Sequence, residues 1–144
     1  MTSSSKPERE KTMAAVEVLI AVDVAGALSS QSLNNNLYMM DTSGYLGATG
    51  EGTNELQTRV TNGEIITWSI RPIDPATNVT VQSWGGTAVA SGNITPAFDQ
   101  TTNSWNAQFT PTPPYAAGQS YQYNATLQFN GGETLGFDPF LVTV

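Results

Sequence analysis

The alternation of apolar and polar residues is the feature of this chain that most constrains its fold. One alternating set comprises Tyr121, Tyr123, Ala125, Leu127 and Phe129. Another, near the amino terminus, comprises Val16, Val18, Ile20, Val22 and Val24. Because successive side chains of a strand point to opposite faces, this period predicts strands with one buried and one wet face. No window of helical length has a 3.6-residue period, and a short turn around residues 27–33 is the best helical candidate.

Thirteen glycines and eight prolines punctuate these segments. The pattern predicts strands at residues 15–24, 36–42, 54–60, 64–71, 78–84, 87–94, 104–110, 120–129 and 133–143. Many short strands with frequent turns are typical of a sandwich, so we predict an all-β, antiparallel β-sandwich, jelly-roll-like, with about 8–9 strands. Residues 14–144 are expected to form this one domain. Residues 1–13 carry no apolar period and are expected to be a flexible tail.

Two hairpins can be predicted in register. A three-residue loop at Thr61-Asn62-Gly63 would pair Thr58 with Ile66 and Leu56 with Trp68, so that both apolar sets share a face. This predicts a left-handed Gly63 in a bulged hairpin.

The second predicted hairpin has its loop at Asn130-Gly131-Gly132. It sets Leu127 opposite Leu135 and Ala125 opposite Phe137. Pro139 is expected to break the ladder, because proline has no N–H to donate. Beyond it we expect the inward face to switch to Phe140, Val142 and Val144.

The charge balance excludes some partners. The chain carries a formal net charge of -7 and has 12% charged residues. From residue 13 onward its basic side chains are Arg59 and Arg71. Since nucleic acids and anionic lipids are bound largely through Lys and Arg, neither nucleic acid nor a membrane surface is an expected partner. No stretch approaches the ~20 apolar residues of a membrane span, and Glu17 and Asp23 interrupt the run that would otherwise resemble a signal peptide.

The sequence has no histidine and no cysteine. Ser-His-Asp and cysteine nucleophile chemistry are therefore excluded, together with thiolate metal sites. Carboxylate pairs are the remaining acid–base chemistry, and no spacing marks a pair that could act as in a glycosidase. We therefore predict that the protein is not an enzyme and has no catalytic residues.

A calcium site is the metal chemistry that the sequence allows. Calcium takes oxygen ligands from carboxylates, amides and loop carbonyls. Asp23 ends the first strand, Asn35 and Asn36 lie in an Asn-rich loop, and Asp41 begins an Asp-Thr-Ser-Gly segment. These residues are candidate ligand-binding residues, with Asp23 and Asp41 as the calcium ligands. An ordinary turn, in which Asp bonds its own backbone, is the alternative interpretation.

Three aromatic residues are candidates for a sugar-binding platform. Trp84 and Trp105 lie near predicted strand ends, and Tyr115 lies in a proline-rich loop. Sugars stack on exposed aromatic rings while neighbouring polar groups hold their hydroxyls. A core position is the alternative for both tryptophans.

A string of motifs resembles the PixA/AidA family of bacterial inclusion body proteins over residues 16–144. Its most specific block joins Asn34-Asn35-Asn36 to Asp41-Thr42-Ser43-Gly44-Tyr45-Leu46-Gly47. Ile66-Thr67-Trp68-Ser69-Ile70 and Phe137-Asp138-Pro139-Phe140-Leu141 complete it. The resemblance implies a protein made in quantity, often linked to host association. It also implies a cytoplasmic location in inclusions, with release or secretion left open, and it supplies no catalytic residues.

Two functions follow as hypotheses. The first is a non-enzymatic protein that associates with itself into homo-oligomers, because its amide-rich surface is poorly charged. The alternative is a lectin-like module that binds glycans, with calcium as its one conceivable cofactor. Long strand edges that pair between chains would favour the first, and an exposed tryptophan beside loop carboxylates would favour the second.

Overall fold

The structure, a computed structural model, describes residues 15–42 and 56–144. Eleven strands lie in these residues: β1 (Ala15–Val22), β2 (Leu37–Asp41), β3 (Gln57–Val60), β4 (Ile65–Pro72), β5 (Val79–Gly85), β6 (Ala97–Asp99), β7 (Ser104–Gln108), β8 (Ser120–Gln122), β9 (Asn124–Phe129), β10 (Thr134–Phe137) and β11 (Phe140–Thr143). Two helices accompany them: α1 (Val24–Ser30) and α2 (Thr87–Ala90). The predicted tail, residues 1–13, lies outside the described residues.

The first layer is a five-stranded sheet in the order β2-β1-β4-β7-β6. In β1, alternate residues from Val16 to Val22 are buried and the intervening residues face outward, as the period predicted. β1 pairs with β4 in parallel, whereas the other pairs in this sheet are antiparallel. The expectation of a purely antiparallel sandwich is therefore wrong in this detail.

The second layer consists of two three-stranded sheets, β10-β9-β5 and β3-β11-β8. They share one long hairpin, because β8 leads directly into β9 at Tyr123 and β10 leads into β11 through Asp138 and Pro139. Across the break, the Tyr123 N–H donates to the Pro139 carbonyl at 3.1 Å. Pro139 has no N–H of its own, so the ladder is interrupted there, as predicted.

The core lies between the two layers. Trp68 of the first layer contacts the rings of Trp84 and Tyr123 of the second layer. Leu127 and Phe129 bury their side chains in the same cluster. The all-β sandwich prediction is confirmed at this level, since the long strands β1, β4 and β9 bury their apolar faces between the layers.

The hairpin predicted at Thr61-Asn62-Gly63 is wrong. β3 pairs in parallel with β11, and β4 lies in the other layer. Thr58 and Ile66 are both fully buried, but they face the core from opposite sides. A turn that crosses between layers buries both apolar faces as well as a hairpin does. The left-handed conformation of Gly63 is confirmed at φ +83°, within a turn in which the Glu64 N–H donates to the Thr61 carbonyl.

The second predicted hairpin is confirmed in register, with Leu127 opposite Leu135 and Ala125 opposite Phe137. The face switch predicted beyond Pro139 is wrong. Leu141 and Thr143 are buried, whereas Val144 is 54% exposed. Because the break spans two residues, the alternation keeps its phase across it.

The strand predicted at 87–94 is also wrong. Its first half is helix α2, and the Gly92 φ of +77° follows that helix. Alanine has the highest helix propensity and little side chain to bury, so its alternation in this segment carries no strand signal. The short strand β6 was missed for the converse reason, because three residues are too few to show a period.

Candidate functional site

Asp23, a predicted calcium ligand, is the N-cap of α1. Its backbone is extended, and its carboxylate accepts from the Gly26 N–H at 3.0 Å. Aspartate is among the preferred N-cap residues because it satisfies an N–H that the first helical turn leaves unpaired. Asn36 lies beside it, since the side-chain oxygens of both residues approach the Cα of Gly26 closely enough to leave no room for a Cβ. The structure therefore brings Asp23 and Asn36 together, in a helix cap.

The Asn-rich loop is held by its own hydrogen bonds. The Asn36 amide donates to the Ser30 hydroxyl and to the carbonyls of Ser32 and Asn34. Asn35 has a φ of +64°, and its carbonyl accepts from the Tyr38 hydroxyl at 2.7 Å. These contacts account for the positions of Asn35 and Asn36 by turn structure.

Asp41 lies at the other end of the β1–β2 pair. Its register partner is Val18, which lies five residues before Asp23, so the Cα atoms of the two aspartates are separated by roughly 16 Å along the strand direction. The Asp41 carboxylate accepts from the buried Thr58 hydroxyl at 2.6 Å. The register therefore does not bring Asp23 and Asp41 together. In the described ranges, 15–42 and 56–144, no three acidic side chains cluster as a metal would require. Ser43 and Gly44 of the Asp-Thr-Ser-Gly segment lie outside those ranges.

Trp84 is turned toward the core by a β-bulge in β5. The register shifts between Ser83 and Val81, so Gln82 is an extra residue on this strand. Val81 opposes the buried Leu127, and Trp84, three residues on, opposes the buried Ala125. Without the bulge, Val81 and Trp84 would point to opposite faces of the strand, because they are three residues apart and successive side chains alternate. The core interpretation of Trp84 is thus the one that the geometry supports.

The aromatic cluster (Trp68, Trp84, Trp105, Tyr123 and Phe98) connects the two layers. Ring centroids are 4.9 Å apart for Trp68 and Trp84, 5.6 Å for Trp84 and Trp105, and 5.3 Å for Phe98 and Trp105. These separations are those at which aromatic pairs contribute about 0.5–1.5 kcal/mol beyond area burial. The cluster runs from the fully buried Trp68 to the half-exposed Phe98, so it reaches the surface.

At its inner end, the Trp68 Nε1–H donates to the Tyr123 hydroxyl at 3.0 Å, and both side chains are fully buried. Burial raises the pKa of Tyr123 well above its usual value. The hydrogen bond from Trp68 opposes this rise, and the charge of Asp41 adds to it. Gly86 permits this arrangement, because a Cβ there would meet the Tyr123 Cα at 2.8 Å. The phenol is therefore a neutral structural group.

At its outer end, the aromatic cluster opens into a cleft of about 290 Å³ between β5 and the β6–β7 edge of the first layer. Trp105 and Phe98 form one wall. Tyr115, 63% exposed, lines a different cavity of about 240 Å³ with Val144 and Pro111. The two cavities share no residue, so the predicted platform of Trp84, Trp105 and Tyr115 is not assembled as one surface.

An apolar patch on the outer face of the first layer was not predicted from the sequence. Leu19, Tyr38 and Met40 are 40%, 37% and 43% exposed on the outer face of β1 and β2. Leu19 and Met40 are register partners, so the three side chains form one apolar patch at the edge of the first layer. These apolar side chains carry no catalytic or metal-binding groups, so no functional motif in the sequence marks them. The signal that could have found them is Leu19, an apolar residue on the outward phase of β1.

The fold and these sites define an all-β sandwich with an aromatic-walled cleft and an apolar patch on its surface, and with no metal cluster in the part of the chain that is described. Residues 14–135 match the model of a family described as a domain of unknown function, DUF8788, and the chain belongs to that family. A search of curated proteins finds no match. No helix within the described ranges has the length and hydropathy to cross a bilayer.

Among solved structures, the chain is similar to a crystal structure of an inclusion body protein, PixA, from Burkholderia cenocepacia. The TM-score is 0.60 at 12% sequence identity, and the match covers 90% of this chain and 92% of that chain. At 12% sequence identity, this similarity shows that the two chains share a fold. The resemblance to PixA drawn from the sequence motifs is confirmed to that extent.

Proposed function

We propose that the protein is a non-enzymatic protein of the inclusion-body type that associates with itself through the β2 edge of its first layer. The observation that carries this proposal is the combination of an edge strand with the apolar patch Leu19, Tyr38 and Met40. The likeness to the PixA fold is consistent with it.

The β2 edge has few of the features that keep strands apart. Natural edge strands are usually protected by lysine, proline, a bulge or a covering element. β2 reads Leu-Tyr-Met-Met-Asp and pairs with β1 through all five residues without a bulge. Within residues 15–42 and 56–144, no strand pairs with its other edge. Under the proposal, backbone N–H and C=O groups on this edge pair with those of a second copy.

An antiparallel pairing of two β2 strands centred on Met39 would continue the sheet across the interface. Residues opposite each other in such a pair point to the same face, so Tyr38 of one copy would contact Met40 of the other. The two apolar patches would then merge into one and exclude water from each other. This isologous contact closes a dimer, and larger assemblies would need a second interface.

Charge opposes this association at long range. A net charge of -7 on each copy repels the next copy, whereas strand pairing and apolar contact act at short range. Salt screens the repulsion, since the Debye length falls from about 30 Å at 0.01 M to about 8 Å at 0.15 M. We therefore expect oligomers at moderate salt or below about pH 5, where carboxylates begin to protonate, and smaller species at low salt and high pH.

The experiment compares two lysine variants by size-exclusion chromatography with light scattering. Met40→Lys places a charge in the patch, and Ala76→Lys adds the same charge in an exposed turn between β4 and β5. Met40→Lys should shift the population to monomer at 0.15 M salt, and Ala76→Lys should match the wild type. A wild-type protein that stays monomeric across salt and pH up to about millimolar concentration would refute the proposal. So would a Met40→Lys variant that assembles normally.

The non-enzymatic part of the proposal rests on the chemistry that the chain contains. Histidine and cysteine are absent from the sequence, and Asp23 is engaged in a helix cap. We expect no hydrolysis of glycoside, ester or peptide substrates. Turnover that disappears in Asp23→Asn or Asp41→Asn would overturn this part.

A further inference from the structure

The cleft beside Trp105 exists because two paired strands of the first layer end at different places. β4 pairs with β7 from Ile65 to Trp68. The partner of Trp68 is Trp105, and β7 begins at Ser104, one residue before Trp105, so the pairing ends there. β4 continues to Pro72, so none of the described strands lies beside Ile70 on this side. Val79 and Val81 of β5 face the resulting gap from the second layer. The cleft is therefore built into the backbone and does not depend on one flexible side chain.

Its aromatic wall is fixed by packing. Trp105 contacts Trp84 behind it and Phe98 beside it, and Trp84 is in turn held against Trp68. Phe98 is nevertheless 49% exposed, so one ring of the wall remains accessible from solvent. A rigid, partly exposed aromatic surface binds with a small loss of side-chain entropy.

The cleft offers few polar side chains. Asn103 has a φ of +52°, and its carbonyl accepts from Arg71 at 2.8 Å, so the turn that carries its amide is anchored. Thr80 also lines the cleft, but it lies between Val79 and Val81 on the strand, so its side chain points to the opposite face. No acidic or basic side chain is among the described residues that line the cleft. A charged ligand would lose hydration there without gaining an opposite charge.

We propose that this cleft binds a small, uncharged aromatic compound with one hydrogen-bonding substituent. Its ring would lie against Phe98 and Trp105, and its substituent would reach the Asn103 amide. A volume of about 290 Å³ is near the lower end of the ~300–1,000 Å³ of small-molecule pockets, which suits one or two fused rings. Apolar walls with few polar groups are the usual lining of such pockets. A sugar would present several hydroxyls to a lining that offers few polar groups.

This inference is independent of self-association. The cleft lies at the β6–β7 edge of the first layer, and β2 is the opposite edge. A failure of ligand binding would therefore leave the β2 interface intact, and the two can be measured separately.

The test uses 2-naphthol as the probe, with binding followed by calorimetry and by tryptophan fluorescence. We expect saturable binding to the wild-type protein and roughly tenfold weaker binding to Phe98→Ala, which removes one ring of the aromatic wall. Ile73→Ala is the matched control, because it truncates a 57%-exposed side chain outside the cleft and should bind as the wild type does. Asn103→Gly, which tolerates the positive φ, should weaken 2-naphthol more than unsubstituted naphthalene.

Comparison ligands separate the proposal from its rivals. Naphthalene-2-sulfonate tests charge, cyclohexanol tests the aromatic requirement, and methyl galactoside tests a sugar. Weaker binding of all three than of 2-naphthol would support the proposal. It would be overturned by equal affinity for any of them, by no saturable 2-naphthol binding up to its solubility limit, or by unchanged 2-naphthol affinity in Phe98→Ala.

Discussion

Replacing Tyr123 with phenylalanine tests whether the buried end of the aromatic cluster is held by a hydrogen bond. The substitution removes one oxygen atom and leaves the ring. The Trp68 Nε1–H then lies fully buried without the acceptor that it now has at 3.0 Å. A buried donor left without a partner costs about 1–3 kcal/mol. For a domain of this size, each kcal/mol lowers the melting temperature by about 2–4 °C.

Tyr38→Phe is the matched control. It makes the same chemical change, but the Tyr38 hydroxyl donates to the Asn35 carbonyl at the surface, where water can replace it. We expect its free energy of unfolding to stay within about 0.5 kcal/mol of the wild type. Chemical denaturation of the three proteins under identical salt and concentration gives both values. The reasoning fails if Tyr123→Phe is neutral, or if Tyr38→Phe is equally destabilising.

The same residue makes a prediction about alkaline pH. Burial raises the pKa of Tyr123 in the folded protein, so the folded state holds this proton more tightly than the unfolded state. The stability that the folded state gains from the neutral Tyr123 phenol is fully present below the pKa of about 10 that tyrosine has in the unfolded chain. It is lost as the pH rises above that value. The unfolding free energy of the wild type should therefore fall more steeply above pH 10 than that of Tyr123→Phe. Parallel curves would contradict the burial of a neutral phenol.

The remaining predictions concern the backbone and the tail. Gly63→Val should lower the free energy of unfolding by about 1 kcal/mol or more, because a β-branched residue resists a φ of +83°; an unchanged urea midpoint would contradict this. Asp23→Ala should cost about 0.5–2 kcal/mol through loss of the N-cap, while Asp23→Asn keeps an acceptor oxygen and should cost less; equal losses would argue against a capping role. Deleting residues 1–12 should leave the melting temperature unchanged, and a drop of more than a few degrees would show that they pack on the domain.

The candidate site residues show that the sequence did not specify which of them lie close together. Asp23 and Asp41 looked like one calcium pair because Asp23 ends the first predicted strand and Asp41 begins a turn-like segment near the Asn-rich loop. The antiparallel register of β1 and β2 places them at opposite ends of the pair. Trp84 and Trp105 do share one cluster, but a bulge at Gln82 that the sequence does not mark turns Trp84 toward the core. Phe98 gave no signal, since β6 is too short to show a period.

The sequence by itself determined which face of each long strand is buried. The alternation in β1 and β9 predicts the observed burial residue by residue, because side-chain direction is a local property of an extended backbone. It also determined the β9–β10 register, since a three-residue loop leaves one pairing that puts both apolar sets inside.

Only the tertiary structure decided which strands are neighbours. β3 carries the alternation that a hairpin with β4 would need, yet it pairs with β11, more than eighty residues away. An alternating pattern specifies which face of a strand is buried, but it does not specify the neighbouring strand. Pairing with β4 or with β11 would bury Thr58 and Val60 equally well. The cleft beside Trp105 and the exposed edge of β2 both follow from that choice of neighbours, because each lies where one strand ends or has no further partner.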